Sequence, residues 1–91
     1  MDVKEAARVA KDWVRDVLAD ENPLNIGIEE VEYNRDYDEW LVTVGFSRPW
    51  NSTRNPITML SEDENYKKTY KVIRISGKDG EVINMKNREG A

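Results

Sequence analysis

This chain predicts an α+β domain in which one N-terminal helix packs on a curled four-stranded antiparallel meander sheet, in the order α-β-β-β-β. Three features predict it. Residues 2–20 carry an amphipathic helical pattern, and residues 39–46 alternate apolar and small or polar side chains. Tyr70–Met85 reads as two strands joined by a tight Gly-Lys-Asp-Gly turn. Ninety-one residues suffice for one domain with a single modest core.

The helix comes first. Val3, Ala6, Ala7, Ala10, Trp13, Val14, Val17 and Leu18 recur at three- and four-residue spacing, so they line one face. Asp2 and Glu5 have the spacing of a capping box, with acidic groups at the positive end of the helix dipole. Asn22-Pro23 closes the element, because a proline disfavours helical geometry in the residue before it. The alanine half of the stripe allows close approach to a sheet. Trp13 reads as core, meeting Trp40 where helix and sheet pack.

The first strand falls within 25–34. Ile26 and Ile28 share one parity and Val31 and Tyr33 the other, so one extra residue near Glu29-Glu30, a β-bulge, would turn both pairs to the core. Arg35–Asp38 is a polar turn. In the second strand, 39–46, Trp40, Val42, Val44 and Phe46 form a large apolar face. Strands over 66–76 and 81–86 complete the sheet, with Gly80 in the left-handed conformation at their turn. Residues 47–65 form a connection far longer than an ordinary hairpin loop.

Composition removes several chemistries. The chain has no cysteine and no histidine, so disulfides, thiolate zinc sites, Cys or His nucleophiles and imidazole bases are impossible within it. No calcium-loop spacing accompanies the carboxylates. No catalytic residue, cofactor site or metal site is therefore expected. No apolar run is long enough to cross a bilayer, and charged residues in the first turns do not read as a secretory signal, so the expected location is cytoplasmic.

The net charge of −4 is unevenly spread, with a balance of −8 over residues 1–65 and +4 over residues 66–91. Lys67, Lys68, Lys71 and Arg74 would suit nucleic acid, but the acidic remainder repels phosphate, and a solvated sheet face with protective edge lysines is the preferred reading.

Ala6-Ala7-x-x-Ala10, Asp38-Glu39-Trp40-Leu41-Val42 and the Tyr70–Val82 segment resemble PepSY-type domains, within the broad cystatin-like shape. Trp40–Gly45 and Ile75–Ile83 also resemble small bacterial immunity proteins with a nuclear-transport-factor-like cone. The resemblance spans about four fifths of the chain and rests on residues that determine fold, so it implies shape more than activity. It brings no catalytic motif.

The long connection holds the candidate contact residues. Trp50 leads, flanked by Arg48, with Arg54, Met59 and Leu60 beside it, since Trp and Arg are enriched among interface hot spots. Trp50 folded back as a lid on the core is the alternative. The expected function is a non-enzymatic protein-binding domain, of inhibitor or immunity type, that uses the 47–65 loop and the exposed sheet surface. A small-ligand or minor enzymatic cone using Tyr33 and Tyr70 is one alternative, and weak nucleic-acid binding through the basic C-terminal strands is another. The expected partner is another protein, and an exposed sheet edge would also let two copies pair.

Overall fold

The computed structural model describes residues 1–47 and 68–88. A helix, α1 (Val3–Val17), is followed by a short 3₁₀ turn (Ala19–Glu21) and four strands. These are β1 (Leu24–Asn34), β2 (Glu39–Ser47), β3 (Thr69–Ser76) and β4 (Val82–Asn87). They form one open sheet in the order β1-β2-β3-β4, each pair antiparallel. The α-β-β-β-β architecture is the one the sequence predicts, and it is compatible with a cystatin-like fold. Among the described residues no helix is long and apolar enough to cross a membrane.

Helix α1 starts where the sequence provides a cap. Asp2 is extended, and its carboxylate accepts the Glu5 backbone N–H at 2.8 Å. At the other end Leu18 leaves helical geometry, and Asn22 sits in the left-handed region at φ 49° immediately before Pro23. Asparagine tolerates that conformation better than most residues, and the proline bars Asn22 from the right-handed one.

The core is the contact between α1 and one face of the sheet. Ala6, Ala10 and Val14 are fully buried, as are Val42, Val44, Phe46, Ile73 and Ile75, with Leu18 and Trp40 nearly so. The four buried positions in and just beyond α1 are spaced by four, a single i±4 ridge. Each step along such a ridge turns about 40° around the helix, so the contact direction winds from one end to the other. That winding corrects the expected stripe. Val3 and Val17 belong to the apolar face by spacing, yet they are 55% and 50% exposed, because the ridge has turned away from them at their ends of the helix. Trp13 is displaced for the same reason. It lies about 100° around from Val14, half-buried against the flank of the core rather than inside it.

The irregular parity of β1 is resolved by a bulge. Ile28 pairs with Val44 and Glu30 with Thr43, which leaves Glu29 as the extra residue. Ile26, Ile28 and Val31 then all pack against the core. Tyr33, farther along the same face, packs on Trp40 with ring centroids 4.9 Å apart and planes tilted by 48°.

Both described hairpins turn through four residues that end in the left-handed region, at Asp38 (φ 53°) and Gly80 (φ 73°). In the second, Gly80 N–H donates to the Ser76 carbonyl and Ser76 N–H to the Glu81 carbonyl, each at 2.9 Å. The two loops are joined directly, because Gly77 N–H donates to the Asp38 carbonyl at 2.8 Å. A Cβ at Gly77 would sit 2.8 Å from that carbonyl oxygen, so only glycine permits the approach. Gly77→Ala is expected to destabilise the domain by about 1–3 kcal/mol in urea unfolding. Gly27→Ala, whose Cβ meets nothing within 4 Å, should be neutral or stabilising by up to about 1 kcal/mol. Equal effects of the two substitutions would refute the steric account of Gly77.

Candidate functional site

Two surfaces follow from this packing. The first lies on the flank of α1 that the ridge leaves behind. Val9, Asp12, Trp13 and Asp16 face Gly80, Glu81 and Val82 across an open cleft of about 350 Å³. Val9, Trp13 and Val82 pack against the core from its edge, so the cleft has an apolar floor continuous with the interior. Asp12, Asp16 and Glu81 supply three carboxylates, and none of the described lining residues is basic. Asp12 pairs with Arg15 at 3.0 Å, but both side chains are more than half exposed, so that bond is weak. Among the described residues, the carboxylates of Asp16 and Glu81 have no ion pair or hydrogen bond. The left-handed turn at Gly80 brings the loop round to form the far wall.

The second surface is the sheet face turned away from α1. Strand register places Glu32, Leu41, Arg74 and Asn84 in one cross-strand row and Glu30, Thr43, Val72 and Lys86 in the next. Acidic side chains occupy the β1 side and basic ones the β3–β4 side, with apolar or small residues between. Arg74 holds Glu39 through two hydrogen bonds, Nε to Oε1 at 2.8 Å and Nη2 to Oε2 at 3.2 Å. That carboxylate raises the Arg74 pKa further above its ordinary value, first by accepting these bonds and then by its charge. Tyr70 lies over Gly45, where a Cβ would come within 2.9 Å of the ring, and Arg88 stands 5.1 Å from the centroid of the same ring.

The five residues expected to contact a partner, Arg48, Trp50, Arg54, Met59 and Leu60, lie outside the described residues. Tyr33 and Tyr70 project from opposite faces of the sheet and do not converge on one cavity. Lys71 and Arg74 are likewise on opposite faces and form no common patch, while Lys67 lies outside the described residues. Among the described residues no group of three or more metal-ligating side chains comes together. Sequence reasoning missed the cleft because the apolar stripe of α1 looked wide enough to bury Trp13. The signal present was the four-residue spacing of Ala6, Ala10, Val14 and Leu18, which marks a narrower ridge.

Compared with protein-family models, curated proteins and solved structures, the chain matches none.

One titratable group reports on the local geometry. The Tyr33 hydroxyl donates to the Asp38 carboxylate at 2.7 Å, and that bond is the largest cause raising its pKa above the ordinary tyrosine value. Slight desolvation and the Asp38 charge act in the same direction, and Arg35 opposes them. Because the folded-state pKa is the higher one, the stabilisation is complete below the unfolded tyrosine pKa and is lost as pH rises through the folded value. An NMR titration should show Tyr33 deprotonating above the ordinary tyrosine range, and Asp38→Asn should bring it most of the way back. Titration of Tyr33 within the ordinary tyrosine range in the unmodified chain would show that the Tyr33–Asp38 bond does not persist in solution.

Proposed function

We propose that this chain is a non-enzymatic protein-binding domain, of inhibitor or immunity type, which contacts its partner through residues 47–65 and the sheet face turned away from α1. The observation that carries the reading is the composition of that face. Leu41, Val72 and Tyr70 form a partly exposed apolar middle between acidic and basic flanks, the anatomy of a protein interface with an apolar centre and a polar rim. Tyr70, lying over Gly45, and Arg88 beside it are of two side-chain types that recur as hot spots. Trp50, Arg48, Arg54, Met59 and Leu60 would extend the same contact. The absence of histidine and cysteine supports recognition over catalysis. The resemblance to immunity proteins agrees with that reading.

Two variants test it: one with residues 48–60 replaced by a Gly/Ser linker, and Val72→Lys on the sheet face. With a partner recovered by the intact chain from native cells and then purified, each folded variant should bind at least about tenfold more weakly, the loss typical of a hot spot. Unchanged affinity in both would reject the proposed surface.

A further inference from the structure

The cleft between α1 and the β3–β4 loop lies on the α1 side of the sheet, opposite the sheet face just proposed, and its lining points to a different ligand chemistry. Its floor is an indole flanked by two valines, and its rim carries carboxylates, with no basic side chain among the described lining residues. The Asp16 and Glu81 carboxylates stand exposed at the rim, so an entirely apolar ligand would make no use of them. A small anion would meet three like charges. A cation on an apolar stem satisfies both halves, with the stem on Val9 and Val82 and the charge over Trp13 and against the rim.

We infer that this cleft is a binding site for an arginine side chain presented by a partner protein. The guanidinium is favoured over an ammonium because it is planar, weakly hydrated and able to stack on an indole while directing N–H donors sideways to carboxylates. The volume agrees. About 350 Å³ lies at the low end for small-molecule pockets and suits one long side chain rather than a drug-sized ligand. The wall opposite the helix is backbone at Gly80, in a left-handed turn (φ 73°) that carries no side chain of its own and has the Met1 side chain against it. The ion pair of Asp12 with Arg15 is solvent-exposed, so an incoming guanidinium can share that carboxylate at little expense.

The probe is N-acetyl-arginine amide, titrated into the full chain while the three tryptophan indole N–H resonances are followed by NMR. The Trp13 resonance should shift saturably in the millimolar range, with a smaller change at Trp40. The citrulline analogue, which keeps the shape and loses the charge, should bind at least about fivefold more weakly, and so should the lysine analogue. Asp16→Asn with Glu81→Gln should weaken arginine binding about fivefold and steepen no other response. Each of these results supports the assignment. Absence of a Trp13 shift at tens of millimolar, equal binding of citrulline, or tighter binding of lysine overturns it. Trp13→Leu, which keeps an apolar floor and the fold, should abolish the effect of charge-matched stacking; full retention of arginine affinity in that variant also overturns it. None of these outcomes depends on residues 48–60 or Val72, so failure here leaves the proposed sheet surface untouched.

Discussion

The domain is organised by a narrow helix-to-sheet contact. Ala6 and Ala10 carry nothing beyond Cβ, so the first half of α1 can settle close to the sheet, in one core with Val42, Val44, Phe46, Ile73 and Ile75. Val14 and Leu18 continue the same ridge with larger side chains as it winds away. Had the contact been broad, Trp13 would have been interior and the flank of α1 would have been sealed against β4. Because it is a single ridge, the indole is left at the edge of the core, where it floors a cleft. The opposite face of the sheet is not used by α1 at all. The cleft is therefore a consequence of how little of the helix the sheet covers, and the outer sheet face is a consequence of α1 lying on one side alone.

Strand irregularities and loop chemistry hold this arrangement in register. The bulge at Glu29 lets β1 present Ile26, Ile28 and Val31 to the same core despite their mixed parity. At the far end of the sheet, the carbonyl of left-handed Asp38 receives the Gly77 N–H, so the two hairpin loops are fastened to one another. Asp38 also accepts the Tyr33 hydroxyl, and Tyr33 packs on Trp40. A chain of contacts thus runs from the β3–β4 loop through Asp38 and Tyr33 to the aromatic edge of the core. The Gly80 turn that shapes the cleft lies in the same loop as Gly77.

Much of the fold was readable from residue pattern, because strand alternation and turn glycines act locally. The β2 face from Trp40 to Phe46, the bulge near Glu29, the Asp2 cap and the left-handed Gly80 each follow from a few neighbouring residues. The fate of Val3, Trp13 and Val17 was not readable in that way. Their spacing places them on the apolar side of α1, but which part of that side meets the sheet depends on how the helix crosses it, a tertiary property. The cleft was hidden for the same reason: it joins Trp13 and Asp16 to Glu81 and Val82, sixty-five or more positions apart in the chain. Conversely, Arg48, Trp50, Arg54, Met59 and Leu60 were chosen for residue type in a long connection, and they fall outside the described residues.

The narrow ridge can be probed at its centre. Ala10→Leu replaces a fully buried methyl with a branched side chain while keeping a residue of high helix propensity. If Ala10 sets the close approach of α1 to the sheet, urea unfolding followed by circular dichroism should show a loss of about 1–3 kcal/mol from overpacking. Unchanged or increased stability would mean that Ala10 faces open space and that α1 does not rest on the sheet through this ridge.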